Sequence, residues 1–389
     1  MLNIVVIGTG MFSTGRGTNG YGTVLPAITE WLRLKEQKNK VVFVGTNGLH
    51  SDEAKLKAEK LSEDTNIELD ISFLPDTGVV DRNAYLRAIK EVPRPACAII
   101  VVPDHLHYQV THDCLMEDLP VLVVKPLTPT VEEGKKLINL ANKRSLYAAV
   151  EFHKRWDKAN LMIRDRVKKG DLGELLYCWV EYSQRKSIPT EIFNVWADKT
   201  SILQYLGIHY IDLMRFYTNA MPVRVMAVGQ KKWLSRRGID TFDAIQCTIE
   251  WEAESGNRFT QTILTNWIDP ETSTSMSDQK IKIVGTNGRF ESDQKERGIR
   301  INLDGGNLEQ PNPDYCMEYS SDRNVKEWRG YGVDSITTYL SDVEDINNSA
   351  VDIESLKLIR PSFSEALIST SVVEAAHASL LNNNEWQNV

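Results

Sequence analysis

The first 150 residues alternate short apolar runs with segments in which apolar residues recur at helical spacing. The apolar runs occupy residues 4–7, 41–44, 98–102 and 121–124. The helical patterns occupy residues 23–35, 52–63, 107–117 and 130–144. Continuous apolar runs between amphipathic helices are typical of strands that are buried on both faces. The pattern therefore predicts a parallel, doubly wound α/β sheet in this part of the chain.

The pattern changes after about residue 150. Helices are predicted at residues 160–169, 205–217 and 364–381. Strands are predicted at residues 175–182, 223–228, 244–251, 258–265, 280–284 and 299–303, and Asn287-Gly288 has the composition of a hairpin turn. Short strands joined by tight turns favour a mostly antiparallel sheet with one open face. We therefore predict two domains, an α/β domain at residues 1–126 and an α+β domain at residues 127–389.

Composition and charge exclude several classes of protein. The chain of 389 residues has a net charge of −8, which argues against a nucleic-acid binder that needs clustered basic residues. No apolar run approaches the ~20 residues of a membrane span, so no membrane partner is expected. Its five cysteines form no C-x-x-C pair and the start resembles no export signal. We therefore expect a cytoplasmic protein without disulfides and without a bound metal.

Glycines follow the first predicted strand. In Gly8-Thr9-Gly10, the first glycine allows a tight turn and the second lets the backbone approach a pyrophosphate at a helix N-terminus. Met11 and Phe12 follow directly and are included in the predicted cofactor-binding turn. The position of this turn predicts that residues 1–126 form a Rossmann-type dinucleotide-binding domain.

The third glycine of the usual motif is Ser13 here, and the segment from Gly15 to Gly22 is too glycine-rich for a helix. Two interpretations remain open for this segment. It folds over the pyrophosphate or reaches the substrate, with Arg16 available for a phosphate, or it is a mobile surface loop.

The residues after the second strand bear on the choice of cofactor. A carboxylate usually holds the adenosine ribose of NAD there, whereas this chain has Gly45-Thr46-Asn47-Gly48. We assign Thr46 and Asn47 to the cofactor site. Neither a carboxylate that repels a 2′-phosphate nor a neighbouring arginine that binds it is present in this segment, so we predict NAD without excluding NADP.

Four motifs occur in a characteristic order along the chain. They are Val-Val-Pro-Asp-His-Leu-His at 101–107, Val-Lys-Pro-Leu at 124–127, Glu-Phe-His-Lys-Arg-Trp at 151–156 and Gly-Ile-His-Tyr-Ile-Asp at 207–212. Over nearly its whole length the chain resembles the glucose–fructose oxidoreductase/inositol dehydrogenase/rhizopine-catabolism (Gfo/Idh/MocA) family. The resemblance implies a Rossmann domain, then a substrate-binding domain whose exposed sheet face often makes oligomer contacts. Because an open sheet face needs a cover, we predict a homodimer or homotetramer.

The resemblance implies that Lys125 lies beside the nicotinamide and the substrate hydroxyl, after which a cis Lys-Pro peptide is typical. An ammonium there orients the reacting oxygen and lowers the pKa of a neighbouring acid–base group. The alternative is a solvated lysine at a strand end. The glutamate that the family carries before this lysine is Val124 here, so one expected contact to the cofactor or the lysine is missing.

His209 is the predicted proton shuttle, because imidazole titrates near neutral pH. Asp212 lies on the same helical face and could orient the ring or bind a hydroxyl. Tyr205 stands where sugar dehydrogenases of the family often carry aspartate, and it either transfers the proton or stacks on a sugar ring. His209 is the first choice and Tyr205 the second, and the alternative for His209 is a histidine of the core.

The remaining site predictions concern the two ligands. Predicted substrate contacts come from His153, Arg155, Trp196 and Trp267, although charged flanks and tryptophans on strands are often purely structural. Predicted cofactor contacts come from Val102, Pro103, His105, His107 and Lys125, which follow buried strands at the edge where open sheets bind ligands.

The predicted function is hydride transfer between NAD(P) and a hydroxyl-bearing carbon of a sugar, sugar derivative or cyclitol. A second enzymatic hypothesis is transient oxidation, in which retained NAD enables elimination or glycosidic cleavage and is regenerated. A third hypothesis is a non-catalytic sugar or cofactor sensor on the same scaffold. Lys125 and His209 favour an enzyme over the sensor, and a purely structural protein would give these residues no reason to be present.

Overall fold

Six parallel strands form the first sheet of the computed structural model, which describes residues 1–35, 39–306, 308–321 and 325–389. They are β1 (Asn3–Ile7), β2 (Val41–Val44), β3 (Ile71–Leu74), β4 (Ala96–Ile100), β5 (Val121–Val124) and β6 (Ala148–Glu151). Their helices are α1 (Met11–Thr14), α2 (Val24–Arg33), α3 (Gly48–Thr65), α4 (Ala84–Glu91), α5 (His107–Met116) and α6 (Val131–Lys143). The strand order β3-β2-β1-β4-β5-β6 confirms the predicted doubly wound sheet.

The second sheet has seven strands in the order β12-β11-β7-β10-β9-β8-β15. This part of the chain contains α7 (Lys158–Lys168), β7 (Leu175–Arg185), α8 (Ile208–Thr218), β8 (Met221–Gln230), β9 (Ala244–Glu252), β10 (Arg258–Asp269), β11 (Ser277–Gly285) and β12 (Arg289–Asp293). Strands β7 and β10 pair in parallel, and the other described pairs are antiparallel. The predicted mostly antiparallel sheet is therefore confirmed.

One predicted strand is wrong. Residues 299–303 form no strand, and only an isolated bridge joins Ile301 to Glu309. Leu303 is 62% exposed, and turns that contain Gly298 and Gly305, both with positive φ, flank the segment. The segment has apolar residues but no neighbouring surface to bury them, so no extended ladder forms.

The last part of the chain supplies elements that the sequence pattern did not predict. A hairpin of β13 (Met317–Ser320) and β14 (Lys326–Arg329) precedes α9 (Tyr331–Asn347) and α10 (Ile353–Ile359). The chain then forms the predicted final helix, α11 (Phe363–Leu381), and ends in β15 (Gln387–Asn388). None of the described helices combines the length and the hydropathy needed to cross a membrane.

The chain divides into two compact units. Unit one contains residues 1–128, 132–156 and 314–366, and unit two contains residues 129–131, 157–313 and 367–389. The core of unit one joins apolar residues of the parallel sheet and α2 to the buried face of α9, which includes Ile336, Leu340 and Val343. The domain boundary between residues 126 and 127 stays a prediction.

Candidate active site

The turn after β1 requires glycine at its first position. Gly8 has a φ of 118°, and a Cβ added there would lie 2.0 Å from the carbonyl oxygen of Val101. A Cβ added at Gly10 would instead have no atom of the described residues within 4 Å. Helix α1 begins directly after Gly10 without a side-chain cap, and it carries Met11 and Phe12, which are half-buried. Open space beside backbone amides fits the pyrophosphate of a dinucleotide.

The glycine-rich loop from Gly15 to Gly22 is tied to α3. The Lys57 ammonium donates hydrogen bonds to the carbonyl oxygens of Gly15, Thr18 and Gly20, the last two at 2.8 Å. The backbone amide of Gly17 donates to Glu53 at 3.1 Å. These contacts argue against a freely mobile loop, and a role of the loop in cofactor binding stays a prediction.

An arginine lies close to the turn after β2, although none is near it in the sequence. Asn47 caps α3 by accepting a hydrogen bond from the amide of Leu49 at 3.0 Å, and Thr46 precedes it. Nη1 of Arg16 lies 3.0 Å from Nδ1 of His50, in the first turn of α3. A cation at this point of a Rossmann domain suits a 2′-phosphate, which keeps NADP beside NAD as a cofactor for this chain.

The peptide between Lys125 and Pro126 is cis, as the resemblance implied. His107 is fully buried beside it, with Nδ1 2.6 Å from the carbonyl oxygen of Pro126 and Nε2 2.9 Å from that of Val102. Burial lowers the pKa of His107, so the neutral ring donates to one of these oxygens at a time. The ring thereby joins the ends of two neighbouring strands and supports the segment that carries Lys125.

The charge of Lys125 is held in a desolvated position at the carboxyl end of β5. The residue is half-buried, and burial lowers the pKa of its ammonium to about 8. The carboxylates of Asp104 and Glu151 act in the opposite direction and favour the charged form. A lysine whose pKa lies near neutral pH is suited to proton transfer or to orienting a reacting oxygen.

A buried carboxylate network that sequence reasoning did not find lies beside this lysine in unit one. Glu151 is 3% exposed and accepts a hydrogen bond from the Ser335 hydroxyl at 2.7 Å. The ring of His153 donates to the same carboxylate from Nδ1 at 2.9 Å. The His153 ring stacks on Tyr331, with centroids 5.6 Å apart, and on Phe12 of the glycine turn at 6.3 Å.

The other predicted ligand contacts in unit one differ in exposure. Val102 and Pro103 are half-buried after β4, and His105 is exposed in the short turn that follows. Arg155 is only 6% exposed. The structure thus brings Phe12, His153 and the network of Glu151 together, whereas His105 lies on the surface of unit one.

His209 and Asp212 lie in the first turns of α8 and are 2% and 1% exposed. A five-residue π-helix, Leu203–Gly207, precedes α8, so the predicted single helix changes type at Gly207. A Cβ added at Gly207 would meet side-chain atoms of Leu203 at 2.6 Å and Thr265 at 3.4 Å. Glycine thereby permits the close approach of this turn to β10. π-helical turns of this kind are frequent at functional sites.

Tyr205, in the same π-helix, belongs to an aromatic cluster of unit two with Phe193, Trp196 and Trp267. Its ring lies 4.8 Å from Phe193, 6.3 Å from Trp196 and 6.0 Å from Trp267 between centroids. Trp267 is fully buried and donates from Nε1 to Gln184 at 3.2 Å, whereas Trp196 is half-buried. Trp267 therefore supports the cluster from the core, and direct contacts of Trp196, Trp267 and Tyr205 with a substrate stay predictions.

Two family models match the chain. Residues 2–152 match the model for the oxidoreductase family with an NAD-binding Rossmann fold, and residues 161–291 match the model for the GFO/IDH/MocA C-terminal domain. The chain belongs to the Gfo/Idh/MocA oxidoreductase family. The NAD-binding Rossmann fold predicted from Gly8 and Gly10 is thereby confirmed for this family member.

Several named relatives match parts of the chain. The scyllo-inositol 2-dehydrogenase (NADP(+)) IolW of Bacillus subtilis is 29% identical over 181 residues, which is 46% of this chain and 48% of that protein. The rhizopine catabolism protein MocA of Rhizobium meliloti is 24% identical over 148 residues, 38% of this chain and 46% of that protein. The chain thus matches about half the length of these relatives.

Solved structures match over nearly the full chain. A putative myo-inositol dehydrogenase from Sinorhizobium meliloti has a TM-score of 0.69 at 14% identity and covers 100% of both chains. The scyllo-inositol dehydrogenase from Lactobacillus casei with bound NAD(H) and scyllo-inositol has a TM-score of 0.68 at 14% identity, over 99% of this chain and 98% of that one. At this identity the likeness concerns the fold.

Proposed function

We propose that this member of the Gfo/Idh/MocA family is an NAD(P)-dependent oxidoreductase that moves a hydride to or from a hydroxyl-bearing carbon of a cyclitol, sugar or sugar derivative. The observation that carries the proposal is Lys125, whose pKa of about 8 results from burial at the ligand-binding edge of the Rossmann sheet. The substrate class is supported by relatives named as inositol and glucoside dehydrogenases.

The nicotinamide cofactor supplies the hydride acceptor or donor when it is bound. The protonated Lys125 then donates a hydrogen bond to the reacting oxygen and holds it in place. His209 takes the hydroxyl proton during oxidation and returns it during reduction, with Asp212 orienting the ring, and Tyr205 is the second candidate for this role. The turn at Gly8 and Gly10, with Met11 and Phe12, binds the pyrophosphate side of the cofactor.

Other predicted residues complete the two ligand sites in this proposal. Thr46 and Asn47 face the adenosine ribose, and Val102, Pro103 and His105 line the nicotinamide side. His153 and Arg155 contact substrate hydroxyls, and Trp196 stacks on the ring of a sugar or cyclitol.

The test is a substrate panel with each cofactor in turn. Purified protein is mixed with NAD⁺ or NADP⁺ and with myo-inositol, scyllo-inositol, glucose or alkyl glucosides, and reduced cofactor is followed by its absorbance. We expect continuous production of reduced cofactor with at least one polyol. Cofactor that binds but is neither reduced by any polyol nor oxidised by the corresponding ketones would contradict the proposal and favour the sensor hypothesis. Reduced cofactor that appears only within a single turnover would favour transient oxidation.

We also propose that the open face of the seven-stranded sheet joins copies of this chain in a homodimer or homotetramer. Apolar side chains on that face are half-buried and lie opposite the buried side of each strand; they are Trp179, Met226, Val228 and Leu264. Such a face needs a cover. The five cysteines are all free, which supports the cytoplasm as the compartment.

Changing Trp179 to glutamate tests the assembly. A carboxylate buried at an interface costs several kcal/mol unless it is paired, so light scattering after gel filtration should show dimers or tetramers for the wild type and monomers for the variant. Tyr319→Glu, at an exposed site on the hairpin of unit one, is the matched control and should keep the wild-type mass. A monomeric wild type at micromolar concentration would contradict the proposal.

A further inference from the structure

The residue before Lys125 is paired with a carboxylate residue on the neighbouring strand. Strands β5 and β6 are parallel, and Val124 pairs directly with Glu151. Paired strands are ~4.8 Å apart. The position before the lysine is thus apolar, while the position beside it on β6 carries a negative charge. Inspection of the linear sequence does not join the two, since they lie 27 positions apart.

Burial of the Glu151 carboxylate costs free energy that an apolar residue at the same strand position would not cost. A carboxylate that is 3% exposed loses most of its hydration, and valine or threonine would fill a strand position without that penalty. The Ser335 hydroxyl and the His153 ring each donate a hydrogen bond to the carboxylate, at 2.7 and 2.9 Å. Two donors from separate segments of unit one therefore hold the negative charge in one position.

Charged groups from both neighbouring strands act on Lys125. Asp104, in the turn after β4, and Glu151, on β6, favour its charged form. His107, on α5, interacts with the lysine across the cis peptide and is kept neutral by burial. Since Asp104 and Glu151 come from strand ends on opposite sides of β5, the ammonium has carboxylates on both sides of its own strand.

We propose that Glu151 is a positioning residue for Lys125, and that it supplies from β6 the negative charge that the chain lacks at position 124. The carboxylate keeps the ammonium protonated and directed toward the reacting oxygen, and this role rests on the proposed function. The same carboxylate accepts a hydrogen bond from Nδ1 of His153 and thereby fixes the direction of that ring. The stacking of Phe12 and Tyr331 fixes the plane of that ring.

The test measures Lys125 in protein without cofactor or substrate. Lysines are labelled with trace acetic anhydride between pH 6 and 10, and peptide mass spectrometry gives the rate at Lys125 relative to the exposed Lys168. Only the neutral amine reacts, so the rate reports the pKa. Glu151→Gln should label Lys125 about three- to ninefold faster at pH 6, well below the wild-type pKa of about 8, which corresponds to a pKa lower by about half to one unit. Asp104→Asn is the positive control, and Glu132→Gln, at an exposed site of α6, should change nothing.

The decisive variant moves the carboxylate back to β5. The double variant Val124→Glu/Glu151→Val should return the labelling rate to within about twofold of the wild type, whereas Glu151→Val alone should label as fast as Glu151→Gln. An unchanged rate in Glu151→Gln, beside a faster rate in Asp104→Asn, would overturn the proposal. If both single variants at position 151 fail to fold, the double variant decides: wild-type labelling supports the proposal, and faster labelling overturns it.

Kinetics separate this proposal from the proposed function. The high-pH decline of kcat/KM in Glu151→Gln should move to lower pH by the same amount as the labelling curve, which a loss of stability alone would not produce. If Glu151→Gln shows the labelling shift but the wild-type protein turns over no polyol, the result would count against the proposed function and would still support the charge pairing.

Discussion

Changing Lys125 to methionine is expected to lower kcat/KM by about 10²- to 10⁴-fold, the usual range for removal of an acid–base group. Methionine keeps the length of the side chain but cannot donate a hydrogen bond to the reacting oxygen. The affinity for cofactor, measured by quenching of tryptophan fluorescence, should change little. Lys136→Met makes the same chemical change at an exposed site of α6 and should leave kcat/KM unchanged.

The pH profile checks the role assigned to the ammonium. Because the protonated form donates the hydrogen bond, wild-type kcat/KM should decline as pH rises through about 8, the pKa of Lys125. The residual activity of Lys125→Met should lack that decline. A wild-type rate that instead increases through pH 8, with the increase lost in the variant, would show the neutral amine acting as a base and would contradict the assignment.

The same variant should be more stable than the wild type at neutral pH. The pKa of Lys125 is lower in the folded protein than in the unfolded chain, so the charged ammonium lowers the free energy of unfolding. The whole of this penalty applies below pH 8, where both states hold the proton. As pH rises from 8 toward 10.5, the folded protein has lost the proton and the unfolded chain still holds it, so the penalty disappears. Thermal unfolding should therefore show a gain in Tm at pH 7 that shrinks above pH 8.

Changing Gly8 to alanine is expected to destabilise unit one and to abolish tight binding of NADH and NADPH. The added Cβ would lie 2.0 Å from the carbonyl oxygen of Val101, and φ of 118° is itself strained for alanine by about 1–3 kcal/mol. The backbone at Val101 must shift, and it leads directly to Val102, whose carbonyl faces His107. Thermal unfolding and isothermal titration calorimetry measure the two effects.

Gly10→Ala separates binding from folding. Gly10 has an ordinary φ of −83°, and its added Cβ would meet no described atom within 4 Å. We therefore expect an unfolding temperature close to that of the wild type, together with a dissociation constant for NADH or NADPH raised at least about tenfold, because the methyl group would occupy the space of the pyrophosphate. Unchanged affinity in Gly10→Ala would contradict the predicted course of the cofactor over this turn.

The sequence pattern was sufficient for continuous runs of large apolar residues, but it missed the fully buried, alanine-rich strand β6 and failed where distant segments meet. Strands β1, β2, β4 and β5 are continuous apolar runs and were predicted. The edge strand β3 is only partly buried and was not. Residues 299–303 carry a strand-like composition but have no surface to pack on, and the prediction there was wrong. The composition of a segment shows whether its residues favour a strand. Whether the strand forms also depends on a neighbouring strand or core surface, which only the fold supplies.

The same distinction holds in the candidate site, between residues that sequence motifs identify and residues that meet only in the fold. Lys125 and His209 stand in recognisable motifs, so the sequence was enough to select them. Glu151 stands in one of the four motifs, but no role was predicted for it. Its neighbours Val124 and Ser335 come close to it only through strand pairing and through the packing of α9 on the first sheet. The contact between Arg16 and His50 was likewise hidden, since it depends on the loop from Gly15 to Gly22 folding onto α3.

The assembly of unit one from three separate stretches of chain affects how it is made on the ribosome. Strands β1 to β6 emerge first, but the apolar face of α2 packs on α9, and Thr23 hydrogen-bonds to Tyr315 at 292 positions further along. A nascent chain therefore exposes this surface until α9 has been translated, and the closing of so distant a contact is slow. Unit one is accordingly complete only when its last stretch, residues 314–366, has been translated, and unit two, which contains residues 367–389, is complete later still.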